Sequence, residues 1–221
     1  MPLAIFDLDG TLLDTAPDIY SAAVSFSVNH RFPKPAFDEI KNLIGGGVRN
    51  MLQHLLKKQE VLLDDAAIAQ LLHDFTDRYE NSTSLTKPYP GVIEALDHLT
   101  LDGYRLGICT NKPTLMTERL LERSNIKDRF QVIIGPDRAP AKKPDPRHLQ
   151  AVCSAMGRGT AVFIGDSAID AETAERANIP FIFFEGGYLK PSERRELAKA
   201  AAFINYHDLP SVIATVLDSS H

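Results

Sequence analysis

The sequence predicts an α/β protein, in which a doubly wound, mostly parallel sheet carries a helical domain inserted after its first strand. The short apolar run Leu3–Phe6 opens the chain and is typical of a strand that is buried on both faces. Residues 18–79 show helical periodicity without a convincing strand. The chain after Pro90 alternates between strand and helix patterns, which favours a parallel sheet with crossover helices.

The inserted segment carries apolar residues at helical spacing in three stretches. These stretches are residues 19–26, 48–56 and 68–79. The segment ends near Pro88-Tyr89-Pro90-Gly91, where two prolines and a glycine indicate a rigid turn. The expected domain limits are 16–87 for a helical cap and 1–15 with 88–221 for a Rossmann-like catalytic core.

The second half of the chain supplies the remaining strands and helices of the expected core. Turn residues separate the patterns; Asp102-Gly103 ends one helix and Gly157 closes another. The expected strands are 104–109, 130–134, 161–164, 181–184 and 201–204. The expected helices are 91–101, 114–123, 146–156, 168–177, 192–200 and 209–217.

Composition narrows the classes of function. The 221 residues carry a formal net charge of −5 with a pI near 5.8, which argues against nucleic acid or an anionic membrane as the main partner. No apolar run approaches the roughly 20 residues of a membrane span. The two cysteines, Cys109 and Cys153, lie in apolar stretches, as expected in a reducing compartment. We therefore expect a soluble cytoplasmic protein.

Two carboxylates follow the first strand directly. Asp7 and Asp9 stand two positions apart and precede Gly10. Residues i and i+2 of a strand point to the same side, so these two acids converge unless the backbone turns between them. Like charges held together are unfavourable without a cation or a division of roles. Because open α/β sheets bind ligands beyond the carboxyl ends of their strands, the stretch predicts a functional site.

Other strands of the expected sheet also end in polar residues. Thr110 and Asn111 follow one strand, Asp166 and Asp170 follow another, and Lys143 precedes a proline between them. Clustered carboxylates suit a hard cation with oxygen ligands, of which Mg²⁺ is the usual one. The lysine and the threonine hydroxyl suit phosphoryl oxygens, and a carboxylate nucleophile can form an aspartyl-phosphate. The combination favours phosphoryl transfer.

These four groups of residues, in this order, resemble the motifs of the haloacid dehalogenase superfamily. The inserted helices resemble the cap of the subgroup that contains phosphoglycolate phosphatase and β-phosphoglucomutase. The resemblance implies that Asp7 is the nucleophile and that Asp9 is first general acid and then general base. An acid at the position of Asp9 points to phosphoryl transfer, because the dehalogenases of this family lack one there.

The resemblance also implies the remaining roles. Asp7, the backbone carbonyl of Asp9 and Asp166 would bind Mg²⁺, with Asp170 as a direct or water-mediated ligand. Thr110 and the backbone of Asn111 would hold phosphoryl oxygens. Lys143 would neutralise the charge of the nucleophile and of the phosphoryl group.

A glycine-rich loop in the cap is the candidate for substrate recognition. Gly45, Gly46 and Gly47 precede a predicted helix and are followed by Arg49, so open backbone amides and a guanidinium are available for an anion. The loop resembles that of phosphoglycolate phosphatases more than the Gly-x-Ser-Arg pattern of β-phosphoglucomutases. The leading substrate hypothesis is therefore 2-phosphoglycolate.

Other interpretations of these features remain open. Asp170 can serve as a helix cap only, Gly46 and Gly47 as a flexible turn, and Arg49 as a surface ion pair, while Asp14 is interpreted as loop structure. The alternative functions are a sugar-phosphate phosphatase, a β-phosphoglucomutase-like phosphomutase and a catalytically silent binding module. The sequence does not distinguish a monomer from a homodimer.

Overall fold

A computed structural model describes residues 1–57, 64–82 and 85–219. The chain divides into two compact units. One unit, the core unit, combines Met1–Asp14 with the chain from Lys87 onward, and the other, the helical unit, is Thr15–Thr86. Each limit lies one residue before the corresponding limit expected from the sequence.

The core unit contains a six-stranded sheet with the order β5-β4-β1-β6-β7-β8. Each adjacent pair in this sheet is parallel, as the βα alternation predicts. A separate antiparallel ribbon pairs β2 with β3. The strands are β1 (Leu3–Phe6), β2 (Leu13–Asp14), β3 (Lys87–Pro88), β4 (Arg105–Cys109), β5 (Phe130–Ile134), β6 (Ala161–Gly165), β7 (Phe181–Phe184) and β8 (Ala201–Phe203).

Helices form the helical unit and cover the sheet of the core unit. The first four belong to the helical unit and the others to the core unit. The helices are α1 (Ala16–Asn29), α2 (Phe37–Lys41), α3 (Val48–Lys57), α4 (Asp65–Asn81), α5 (Val92–Leu101), α6 (Thr114–Arg123), α7 (Pro146–Met156), α8 (Ala168–Ala177) and α9 (Leu209–Asp218). Among the described residues, no helix is long and apolar enough to cross a membrane.

Strand β1 lies at the centre of the sheet and is buried on both faces, which explains its unbroken apolar sequence. Its alternate residues enter two different hydrophobic clusters. Ala4 and Phe6 belong to one cluster, whereas Leu3 and Ile5 belong to the other. Since side chains alternate along a strand, the two clusters occupy opposite faces. The doubly wound fold therefore fixes β1, and with it the acids that follow.

The helical unit is held together by aromatic packing and by one buried carboxylate. Phe26 of α1 packs edge-on against Phe75 of α4, with ring centroids 5.5 Å apart. Asp18 is fully buried and accepts hydrogen bonds from the amides of Leu85 and Thr86 and from the Thr86 hydroxyl. Asp18 therefore ties the first helix of this unit to its last described residues.

The helix predicted over residues 192–200 is wrong. Residues 191–196 form turns, and the described chain has no helix between β7 and β8. The amide of Glu193 donates to the Lys190 carbonyl in a single turn. Consecutive charged residues fill this segment, and Leu197 supplies its half-buried contact with the core, so an amphipathic helix would have too little apolar face to bury.

Candidate active site

Three carboxylates meet beyond the carboxyl ends of neighbouring strands. Asp7 follows β1, Asp166 follows β6, and Asp170 lies in the first turn of α8. The amide of Asp7 continues the ladder by donating to the Ile164 carbonyl at 2.9 Å. One oxygen of each carboxylate lies within 4.8 Å of the others, and all three side chains are buried. We call Asp7, Asp166 and Asp170 the acidic cluster.

Lys143 reaches this cluster from the segment between β5 and α7. Its Nζ lies 2.9 Å from Asp7 Oδ1 and 2.6 Å from Asp170 Oδ1, and the side chain is 2% exposed. Asn111 holds the backbone of Lys143 on both sides: the Lys143 amide donates to Asn111 Oδ1 at 2.9 Å, and Asn111 Nδ2 donates to the Lys143 carbonyl at 3.1 Å. The ammonium is therefore fixed beside the predicted nucleophile.

The three acids and Lys143 together carry a formal charge of −2 in a buried site. Burial raises the pKa of Asp7 to about 7, with Lys143 opposing this rise and Asp170 adding to it. Burial, and then the charges of Asp170 and Asp7, raise the pKa of Asp166 well above its usual range. Burial alone would lower the pKa of the Lys143 ammonium, but the charges of Asp170 and Asp7 outweigh burial and keep this pKa above its usual value. The cluster has an excess of negative charge.

Asp9 stands apart from the acidic cluster because the backbone turns after Asp7. Gly10 adopts a positive φ of 81° in this turn, a conformation that suits glycine. The Asp9 carboxylate lies 2.8 Å from the Nζ of Lys112, and both side chains are almost fully buried. Lys112 is a residue of the site that the sequence motifs do not include. Its signal was only that it directly follows Thr110-Asn111.

Asp170 also has the capping role that the sequence left open. Its Oδ2 accepts hydrogen bonds from the Ser167 hydroxyl at 2.5 Å and the Ser167 amide at 3.2 Å. The Ser167 hydroxyl in turn accepts from the Asp170 amide at 3.2 Å, which completes a capping box at the start of α8. Asp170 therefore caps α8 with Oδ2 while its Oδ1 accepts a hydrogen bond from Lys143 in the acidic cluster.

Thr110 and Asn111 directly follow β4, which pairs with β1. Both residues are buried, and the Thr110 hydroxyl accepts a hydrogen bond from the Lys112 amide at 3.2 Å. The structure thus brings Thr110, Asn111 and Lys112 to the same edge of the sheet as Asp7. Tyr188, which lies outside the sequence motifs, donates a hydrogen bond from its backbone amide to Asp166.

The cap residues singled out by the sequence lie at the start of α3 in the helical unit. Gly45 and Gly47 have positive φ values of 93° and 88°. Gly46 lies against Asn50, and Arg49 is exposed in the first turn of the helix. The Gly46 amide donates to the Leu43 carbonyl at 3.4 Å within the loop, and a role of Gly46, Gly47 and Arg49 toward a substrate stays a prediction.

Comparisons with known proteins agree with one family. A family model described as haloacid dehalogenase-like hydrolase matches residues 4–184. A phosphoglycolate phosphatase of Cereibacter sphaeroides is 36% identical over 219 residues, covering 98% of this chain and 100% of that protein. An N-acetylmuramic acid 6-phosphate phosphatase of Pseudomonas aeruginosa is 31% identical over 217 residues, covering 97% of this chain and 93% of the relative.

Solved structures agree with the sequence comparisons. The crystal structure of a predicted phosphoglycolate phosphatase from Haemophilus somnus superposes with a TM-score of 0.85 at 26% identity. The match covers 96% of this chain and 97% of that protein. The likeness therefore extends over both units of the chain.

Proposed function

The chain belongs to the haloacid dehalogenase-like hydrolase family and is a phosphatase of that family, and we propose that it hydrolyses 2-phosphoglycolate through a phosphorylated Asp7. The observation that carries the proposal is the buried pair of Asp7 and Lys143 at the end of β1, with Asp9 two residues further on. A carboxylate that has a cation beside it and a second acid within the same turn suits nucleophilic attack on a phosphomonoester.

The donor set also supports a magnesium ion. The acidic cluster and Lys143 leave a charge of −2, which a divalent cation would balance. The ligands are carboxylate oxygens, as Mg²⁺ prefers. Asp7, Asp166 and the backbone carbonyl of Asp9 would hold the ion, with Asp170 as a direct or water-mediated ligand. A bound Mg²⁺ would offset the repulsion between the anionic nucleophile and the substrate phosphate.

In the first step, a carboxylate oxygen of Asp7 attacks the phosphorus atom. The bond between phosphorus and the ester oxygen breaks, and the departing alkoxide takes a proton from the Asp9 carboxyl group. Lys143 stays beside Asp7 and stabilises the negative charge that spreads over the phosphoryl oxygens. The Thr110 hydroxyl and the backbone amide of Asn111 hold those oxygens in place.

In the second step, the Asp9 carboxylate takes a proton from a water molecule. The water oxygen attacks phosphorus, the bond between phosphorus and the Asp7 oxygen breaks, and inorganic phosphate is released. Asp9 thereby returns to its protonated form, and Asp7 to its carboxylate form, ready for another substrate. Lys112, 2.8 Å from Asp9 Oδ1, keeps this side chain in a defined position between the two proton transfers.

The substrate assignment draws on two supports. The relative from Cereibacter sphaeroides is named a phosphoglycolate phosphatase and aligns over almost the whole chain. Gly46 and Gly47 lead the cap loop into the N-terminus of α3, where the Gly47 amide and the Arg49 guanidinium suit the carboxylate of a small phosphorylated acid. A sugar phosphate is the second candidate, because the Pseudomonas aeruginosa relative is named for one.

The test is a substrate panel in the presence of Mg²⁺, with released inorganic phosphate as the readout. The panel contains 2-phosphoglycolate, N-acetylmuramic acid 6-phosphate, glucose 6-phosphate and β-glucose 1-phosphate. We expect the highest kcat/KM for 2-phosphoglycolate and no turnover by Asp7→Asn. A higher kcat/KM for a hexose phosphate would reject the substrate assignment. Conversion of the 1-phosphate to a 6-phosphate without release of phosphate would reject the hydrolase in favour of a mutase.

A further inference from the structure

Both carboxylate oxygens of Asp166 are held by donors from other parts of the core unit. The Thr11 hydroxyl donates to Oδ1 at 3.0 Å, and the Tyr188 amide donates to Oδ2 at 2.7 Å. Asp166 is 2% exposed, so these contacts lie away from bulk water. An ionised carboxylate has about four lone-pair sites. Each oxygen therefore keeps capacity for a cation while the two donors fix the plane of the group.

Two glycines allow the backbone near Thr11 and the backbone near Tyr188 to lie close to Asp166. A Cβ atom added to Gly187 would overlap the Cβ and Oδ2 of Asp166. A Cβ added to Gly10 would overlap Asp166 Oδ2 and the ring of Tyr188. The segment Gly186-Gly187-Tyr188, which follows β7, thus lies directly against the carboxylate, and we call it the 186–188 segment.

The side chain of Tyr188 anchors this segment at its other end. The Tyr188 hydroxyl donates to Asp14 Oδ1 at 2.8 Å. Asp14 belongs to β2, which pairs antiparallel with β3 so that Asp14 is opposite Lys87. A single residue therefore connects Asp166 to the ribbon at which the chain leaves and re-enters the core unit.

We propose that Tyr188 is a positioning residue that sets the magnesium affinity of the site by holding Asp166. This inference rests on the proposed function, because it takes Asp166 as a ligand of Mg²⁺. The backbone amide aims Oδ2, and the bond between the Tyr188 hydroxyl and Asp14 keeps that amide in place. Groups that orient a metal ligand typically contribute about 10- to 100-fold to metal affinity.

The first test is the dissociation constant of Mg²⁺, measured by isothermal titration calorimetry on the full chain without substrate. Tyr188→Phe removes the hydroxyl and keeps the ring and the amide. We expect its Kd for Mg²⁺ to rise by about tenfold. The matched control is Tyr104→Phe, because Tyr104 precedes β4 and so lies at the amino ends of the strands, away from the site. The Kd of this control should stay within about twofold of the wild type. An unchanged Kd in Tyr188→Phe overturns the proposal.

Variants of Asp14 test the hydrogen bond itself. Asp14→Asn keeps an oxygen acceptor for the Tyr188 hydroxyl and should bind Mg²⁺ nearly as well as the wild type, whereas Asp14→Leu should match Tyr188→Phe. The double variant Asp14→Leu with Tyr188→Phe should bind Mg²⁺ no more weakly than Tyr188→Phe alone, because that variant already lacks the bond to Asp14 as well as the contact of the Tyr188 hydroxyl with Tyr89. Additive losses in the double variant overturn the proposal. Circular dichroism confirms that each variant is folded before its titration.

The outcomes separate this inference from the proposed function. If the wild type binds Mg²⁺ and hydrolyses its substrate while Tyr188→Phe binds Mg²⁺ equally well, the role of Tyr188 is refuted and the phosphatase assignment stands. If the wild type binds no Mg²⁺, the metal site is refuted and the role of Tyr188 falls with it. If Tyr188→Phe has a raised Kd and its activity recovers at saturating Mg²⁺, both proposals are supported.

Discussion

The excess of negative charge in the acidic cluster should make the metal-free protein less stable as the pH rises. Burial raises the pKa of Asp7 to about 7 in the folded protein, whereas a carboxyl group of an unfolded chain has a pKa of about 3.9. Between these values the folded state keeps a proton that the unfolded state has released. Raising the pH through this interval therefore favours unfolding.

The size of the effect follows from the shift. A difference of about three pKa units corresponds to about 4 kcal/mol, at about 1.4 kcal/mol per unit. The free energy of unfolding should lose this contribution between about pH 4 and pH 8. Asp7→Asn is uncharged throughout this range. It should therefore have nearly the stability of the wild type at pH 4 and exceed it by up to about 4 kcal/mol at pH 8.

Urea unfolding after treatment with EDTA, followed by circular dichroism at pH 4.5, 6 and 8, measures this difference. Asp64→Asn is a suitable control, because Asp64 is an exposed cap of α4 and asparagine caps helices equally well. Addition of Mg²⁺ at pH 8 should stabilise the wild type more than Asp7→Asn. The reasoning is refuted if the wild type and Asp7→Asn show the same pH dependence, or if the wild type is the more stable of the two at pH 8 without metal.

Three further predictions concern other buried groups. Burial, and then the Lys143 charge, lowers the pKa of His148 to about 4. The free energy of unfolding should therefore fall by up to about 3 kcal/mol as the pH drops from about 6.5 to 4. Urea titrations of His148→Asn should not show this loss. Lys112→Met removes the cation beside Asp9 and should lower kcat by about 10- to 100-fold with little change in KM; steady-state assays should show no such loss for Lys142→Met, at an exposed lysine. Asp18→Ala leaves the donors of residues 85 and 86 without their acceptor and should lower the unfolding free energy by about 1–3 kcal/mol.

The sequence predicted the main strands and helices of the core well, because the helices keep one apolar periodicity over several turns and the strands are short, largely apolar stretches bounded by turn residues. It also predicted that Asp7 and Asp166 lie close together, because they follow neighbouring parallel strands whose carboxyl ends meet at one end of the sheet. Asp9, which the sequence grouped with them, lies outside the acidic cluster. The helix over 192–200 failed because its residues tolerate a helix locally, but Leu197 is the segment's one large apolar side chain for packing against the core. The two-residue strands β2 and β3 are too short to leave any periodic signal.

The parts of the site that the sequence did not reveal depend on long-range pairing. Lys112 contacts Asp9, and Tyr188 contacts Asp14, although more than one hundred residues separate the members of each pair. Tyr188 contacts Asp166 from a loop that carries no motif. Such pairs are set by sheet register and loop path, which local patterns do not encode. Asp14 was interpreted as loop structure, and it lies in β2 as the acceptor for Tyr188.

The central claim is that Asp7 carries the phosphoryl group between substrate and water. The most direct measurement is to mix the protein with 2-phosphoglycolate and Mg²⁺, quench the reaction in acid within the first turnover, and analyse the peptides by mass spectrometry. We predict a peptide that contains Asp7 and has gained one phosphoryl group, with no such peptide from Asp7→Asn. Steady turnover with no phosphorylated peptide at any quench time, or with the phosphoryl group on another residue, would contradict the account.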